Sequence, residues 1–182
     1  MPGPDLLSAL KEALASDQPA SRTPAPGPSR VVVVLGVGAE LRSDDAAGVR
    51  VAQFLMRHPV PGARAIDAGT VPESCTAEIR RLSPSHVIIV DCARMGARPG
   101  TVRVIDPSDV GSASFGTHGL PLTVIADYLR VEIRCRVTII GIEPASIEFG
   151  ERLSPEVAAA VDETARTLRE CLAQSPPPPP DS

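Results

Sequence analysis

The sequence predicts an α/β fold: a three-layer α/β/α sandwich with a mostly parallel, twisted sheet and one antiparallel edge strand. Three observations predict it. Short β-branched runs alternate with helical segments of roughly 10–15 residues, the signature of βαβ units. The first run, RVVVVLG over residues 30–36, is continuously apolar, as a strand covered on both faces should be. The runs VIIVD (87–91) and TVRVID (101–106) are joined by ARMGARPG, which leaves no room for a crossover helix, so the second belongs antiparallel at an edge.

The elements follow in order. After the first strand, residues 46–57 form a helix whose apolar side is Val49, Val51, Ala52, Leu55 and Met56. Residues 63–67 make a second strand, and 74–82 a second helix opened by Ser74 with Glu78 on its outer face. The strands at 87–91 and 101–106 come next, then a helix around 120–130 and a strand at 137–141. The final helix is the most fully specified. Ser154 is its N-cap, Pro155 its first residue, and Val157, Val161, Ala165, Leu168 and Leu172 recur at helical spacing.

The flanks are different in kind. Eleven of the twenty prolines fall within residues 1–30 and 175–182. Residues 1–29 read as an extension, in which 5–17 form a short amphipathic helix with Leu6, Leu7, Leu10 and Leu14 on one side, followed by a Pro-rich linker. The α/β domain spans 30–173, and 174–182 is a disordered polyproline tail.

Of the 182 residues, 43% are hydrophobic and 22% charged, with a net charge of −4 and no Lys/Arg-rich run, which excludes a nucleic-acid or anionic-membrane binder. No apolar run approaches a membrane span, and Asp5, Lys11 and Glu12 stand where a signal peptide needs apolar residues, so a cytoplasmic protein is expected. Cys75, Cys92, Cys135 and Cys171 lack metal-finger spacing and read as reduced thiols.

In an open α/β sheet the ligand crevice lies beyond the carboxyl ends of the strands. The residues placed there are acidic: Asp44 and Asp45 after the first strand, Asp67 ending the second, Asp91 ending the third, and Glu143 after the last, where the following proline keeps its backbone extended. His118 stands in the glycine-flanked loop FGTHGLP. Carboxylates gathered at one edge repel unless a cation, a proton or hydrogen-bond donors compensate, and two carboxylates with one imidazole suit a first-row divalent metal. Each acid also has a plain structural use. Asp44 or Ser43 can cap the next helix, Asp67 can make an Asx turn, and Asp91 can bond the loop after it. His58 and His86 read as structural. GVG at 36–38 is an incomplete dinucleotide fingerprint, because no third glycine opens the helix and the acidic pair would repel a pyrophosphate. No serine or cysteine carries a nucleophile signature.

Taken together, VVVVLGVGAELRSDDAAGVRVAQFL, IDAGTVPES, HVIIVDCARMGARPGTVRVIDPSDV, THGLPL and GIEPASIEFGERLSPEV resemble the hydrogenase maturation proteases. Within that family the chain looks most like the subgroup serving hydrogenase 3 of the formate-hydrogenlyase type. The resemblance implies a nickel-dependent endopeptidase that removes a C-terminal extension from a [NiFe]-hydrogenase large-subunit precursor after nickel insertion, acting on nickel that the precursor carries; a monomer is expected. It also implies that Asp45, Asp67 and His118 bind that nickel, with Asp91 and Glu143 as supporting candidates and the group that activates water unassigned. The chain departs from the family pattern at Ala39 (usually Asn), Ser43 (usually Gly) and Ala68 (usually Gly). Two other readings share the crevice: a non-catalytic maturation chaperone that holds nickel or the precursor, and a small-molecule metallohydrolase.

Overall fold

The computed structural model describes residues 31–105, 114–115 and 121–174, together with Ser8 and Glu12, both helical. The rest of the extension, the tail and His118 lie outside the described residues. The strands are β1 (Val32–Val37), β2 (Ala63–Gly69), β3 (His86–Arg94), β4 (Val102–Ile105), β5 (Ser114–Phe115) and β6 (Arg136–Ile142). The helices are α1 (Ala47–Arg57), α2 (Thr76–Leu82), α3 (Leu122–Tyr128) and α4 (Pro155–Gln174).

The main sheet has the order β2-β1-β3-β6-β4. All neighbours are parallel except β4, which runs antiparallel to β6 at the edge, as the short 95–101 connection requires. The two-residue β5 pairs antiparallel with the end of β3. Because β1 lies between β2 and β3, the chain leaves it in one direction and returns on the other side. The topological switch point therefore falls at the carboxyl ends of β1 and β3, where α/β sheets open a ligand crevice.

Side-chain alternation along the strands builds one core on each face. Val34, Ile88, Val90 and Ile140 pack with α1 and α4, which bury Val51, Leu55, Val157, Val161, Ala165, Leu168 and Leu172. On the other face Val33, Leu35, Ile89 and Ile139 pack with Ile79 of α2 and with Leu122, Ile125 and Ala126 of α3. Each such side chain taken from water contributes about 1.5–3 kcal/mol. Met56, expected on the apolar side of α1, is exposed instead.

The first turn of α1 presses onto the switch point. A Cβ on Gly48 would collide with the carbonyl oxygens of Val90 and Val37, and one on Gly36 would collide with that of Gly48. Only glycine at both places lets the helix start this close to the sheet.

Several boundaries differ from the sequence reading, among them β2, which continues past Asp67 to Gly69. A 3-10 turn, Ser43–Ala46, precedes α1. A second 3-10 turn, Pro72–Cys75, delays α2 to Thr76, and the Ser74 hydroxyl donates to the Val71 carbonyl (2.7 Å) rather than capping the helix. β3 continues to Arg94, so Asp91 lies within the strand rather than at its end. α3 closes in a π-type turn, Leu129–Ile133. Among the described residues no helix is long and apolar enough to cross a membrane, and all four cysteines are free.

Candidate functional site

The loop from β1 to α1 turns back on itself at Gly38, whose amide donates to the Gly69 carbonyl (2.8 Å) at the end of β2. Gly38 has φ +145°, and a Cβ there would strike the Asp45 carbonyl. The next amide, that of Ala39, donates to Asp45 Oδ2 (3.0 Å), which ties the backbone of the turn to that carboxylate. The side-chain amide absent at Ala39 plays no part in that contact.

Ser43 is left-handed, with φ +47°. Glycine is the residue that adopts this conformation without strain, so the backbone here is a fixed turn that Ser43 holds at some cost. The Ser43 amide donates to the Gly150 carbonyl (2.7 Å), and the Gly150 amide donates back to Leu41 (2.9 Å). Ala68, the third departure, is a buried side chain in the α2/α3 core.

Asp44 is wholly enclosed and fastens the 3-10 turn to the loop between β6 and α4. Its Oδ2 accepts the amides of Ala145 (2.9 Å) and Ser146 (3.0 Å) and the hydroxyl of Ser154 (3.0 Å), and its Oδ1 accepts the Ser154 amide (2.6 Å). A buried carboxylate with four donors is compensated without a metal. The residue does not cap its own helix, as was expected. It braces the start of a distant one, where the Ala158 amide bonds the Ser154 carbonyl (2.8 Å).

Asp45 is almost fully buried, and its 3-10 turn packs directly against β3. Asp91, also enclosed, accepts the Cys92 amide at Oδ1 (2.8 Å). The next residue, Cys92, is buried, and its thiol is pushed well above the ordinary thiol range by burial and then by the charges of Asp91, Asp45 and Asp44. Its neutral form is thereby favoured over the thiolate.

Asp67 stands apart from this group. It is exposed, with Oδ1 accepting the Gly69 amide (3.0 Å) in the expected Asx turn and Oδ2 accepting Nε2 of Gln53 (3.0 Å) from α1. Gln53 also donates to Glu40 (3.0 Å) and accepts from Arg50 (3.1 Å), which pairs with Glu40 (3.3 Å). The sequence reading missed Gln53. The available signal was a polar pair three residues apart, Arg50 and Gln53, on a largely buried helix.

Strand alternation separates the two aspartates further. Asp67 shares a register position with Gly36 and points to the α1 face, whereas Asp91 falls between Ile89 and Ala93 on the face covered by α3. The segment that holds His118 leads into α3.

Glu143 does not point into the crevice, as its position before Pro144 suggested. Its Oε2 accepts the amides of Met95 (2.6 Å) and Ala97 (3.1 Å), closing the β3–β4 connection. His86 sits at the other end of β3, bonded to Thr138 (2.9 Å), and burial with the nearby Arg136 charge lowers its pKa to about 3. His58 ends α1 and stacks on Phe54. Both histidines are structural, as the sequence suggested. No three His, Cys, Asp or Glu side chains among the described residues form a group able to hold a metal ion, and His118 is not one of those residues.

Comparison with known proteins settles the family. The hydrogenase maturation protease family model, HycI, matches residues 49–170. The hydrogenase 3 maturation protease of Escherichia coli is 34% identical over 137 residues, covering 75% of this chain and 87% of that protein. The chain belongs to the hydrogenase maturation protease family. A Methanocaldococcus jannaschii protein assigned to the same family is 36% identical over 149 residues, covering 78% of this chain and 88% of the relative. The crystal structure of the [NiFe] hydrogenase maturation protease HycI from Thermococcus kodakarensis superposes with a TM-score of 0.76 at 27% identity, covering 90% of this chain and 98% of that one. A crystal structure of a hydrogenase 3 maturation protease gives 0.68 at 32% identity over 77% and 90%. This chain is thus a maturation protease, a hydrolase of the endopeptidase kind, on the family's α/β/α fold.

Proposed function

We propose that the chain removes a C-terminal extension from a [NiFe]-hydrogenase large-subunit precursor only after nickel has been inserted, with the precursor's own nickel as the recognition element. The observation that supports this reading is a pair of nearly water-free carboxylates near the switch point, Asp45 on a 3-10 turn that packs against β3 and Asp91 within β3 itself. Hard oxygen donors with one imidazole suit a divalent first-row ion. Asp45 and His118 take two places on the metal.

The third place lies between Asp67, the residue expected from the sequence, and Asp91. Two features support Asp91: its strand packs against the turn that carries Asp45, and both Asp67 oxygens already accept hydrogen bonds, from Gly69 and Gln53. Asp67 then acts through the exposed network that borders the Gly38 turn. Glu143 supports the site indirectly by fixing the strand connection beside it.

The chemistry proposed is direct hydrolysis. A water adds to the scissile carbonyl, the C–N bond breaks, and the departing amine nitrogen takes a proton. The precursor's nickel polarises the carbonyl or the water, and a carboxylate of the crevice accepts the proton. The state of the thiols supports this over a covalent route. Cys92 is held protonated, burial raises Cys135 to about 11, and burial also raises Cys75. The reading carries with it a monomeric enzyme acting in the cytoplasm, the compartment that its free cysteines fit.

The test is a processing assay on nickel-loaded and nickel-free precursor. A mass decrease confined to the loaded sample is the expected result. Equal cleavage of both would refute nickel gating, and binding without cleavage of either would favour the maturation chaperone that uses the same crevice.

A further inference from the structure

Exposed large hydrophobic side chains are not spread evenly over this protein. Among the described residues they are Leu41, Met56, Val71, Val124, Val131 and Phe149. Leu41, Val71 and Phe149 lie in the loops at the carboxyl edge of the sheet, and Val124 sits in the first turn of α3 at that same edge. Met56 ends α1 and Val131 lies in the turn before β6, both at the opposite edge.

Leu41 and Phe149 are also joined. The Gly150 amide bonds the Leu41 carbonyl (2.9 Å), Arg42 pairs with Gly150 in a parallel bridge, and Arg42 Nε donates to the Ile147 carbonyl (3.2 Å). The four hydrogen bonds to Asp44 then fasten both loops to the start of α4. In a chain with only three Phe, one Tyr and no Trp, Phe149 stands 83% exposed and Leu41 54% exposed on this stitched ridge. Holding apolar side chains rigidly in water has no value to the fold itself. Fixing the backbone beneath them lowers the ordering cost of binding, and large apolar side chains exposed on two bonded loops beside the crevice suit a protein-binding surface.

We infer that the Leu41–Phe149 ridge is the docking surface for the precursor, and that it receives an apolar surface segment of the large subunit beside its nickel site while the metal is presented to Asp45. The inference rests on the proposed function, because the ridge is continuous with the crevice through Ser43, Asp44 and Asp45. A metal contact alone cannot select one protein among many that carry nickel, so an adjacent apolar contact supplies the specificity. The exposed acids and Arg50 beside Asp67 form the polar border on the other side of the Gly38 turn.

The experiment uses the full chain and the nickel-loaded precursor, and measures initial processing rate against precursor concentration for wild type, Leu41→Ser/Phe149→Ser and Met56→Ser/Val131→Ser. The ridge variant is expected to raise KM at least tenfold with little change in kcat, while the control stays within twofold of wild type. Single Phe149→Ser, checked for its unfolding transition, carries the same test if the double variant is unstable. An unchanged KM in a folded ridge variant overturns the inference and leaves the proposed function standing. If wild type itself fails to cleave, the proposed function falls, and the dissociation constant of the same precursor decides the ridge: equal values for wild type and ridge variant overturn it, and a tenfold weakening supports it. A wild-type dimer that the ridge substitutions convert to a monomer would assign the ridge to self-association and also overturn it.

Discussion

Two aspartates at the carboxyl edge of one sheet, Asp44 and Asp67, have opposite surroundings. Asp44 is enclosed and receives four hydrogen bonds from residues about a hundred positions away in sequence. Asp67 is exposed and receives one from its own loop and one from Gln53. The difference teaches that a carboxylate beyond a β-strand is assigned its work by burial and by which donors reach it, not by its place at the strand end. Asp44 ties the 3-10 turn to the loop between β6 and α4, whereas Asp67 links the end of β2 to α1 through Gln53.

The largest expected effect follows directly. Asp44→Ala leaves three amides and a hydroxyl without their acceptor and should lose about 3–5 kcal/mol in denaturant unfolding, whereas Asp67→Ala should lose less than about 1 kcal/mol. Equal losses would break the comparison.

It is best measured above pH 7, because His86 adds a pH dependence of its own. The folded-state pKa of His86 is lowered to about 3 from 6.5, so between those values the unfolded chain binds a proton that the native one does not. Its contribution is complete above about pH 6.5. It is lost as pH falls through the window toward 3, with a slope of up to about 1.4 kcal/mol per pH unit that His86→Gln should flatten in unfolding curves.

The smallest effect has the opposite sign. Ser43→Gly removes left-handed strain at φ +47° and should raise stability by about 0.5–1 kcal/mol in thermal unfolding. A loss there would mean that the Ser43 side chain contributes contacts that outweigh the strain.

Much of the architecture was legible because it rests on local pattern. The apolar β1, the helical spacing in α4 and the short connection before β4 each determine an element with little help from the rest of the chain. Where the reading failed, the deciding contact was remote. The polar Asp91 interrupts an apolar run, so the strand seemed to end there, yet Cys92 and Ala93 carry the pairing onward to Arg94. Pro144 fixes the backbone of Glu143 but not the direction of its side chain, which is drawn to the Met95 and Ala97 amides. Asp44 offered a local cap and found better donors on the β6–α4 loop. Asp45 was legible as part of the crevice from its place after β1. Sequence spacing does not reveal that Asp67 and Asp91 point to opposite sheet faces. His118 lies outside the described residues, so its expected role rests on the resemblance.

The most direct test of the account compares Asp91→Asn with Asp67→Asn in processing of nickel-loaded precursor, each variant first shown to be folded. The account predicts that Asp91→Asn, like Asp45→Asn, loses at least about 100-fold in rate, while Asp67→Asn stays within about threefold of wild type. Full activity in Asp91→Asn with loss in Asp67→Asn would contradict it and return the third metal position to the exposed aspartate of β2.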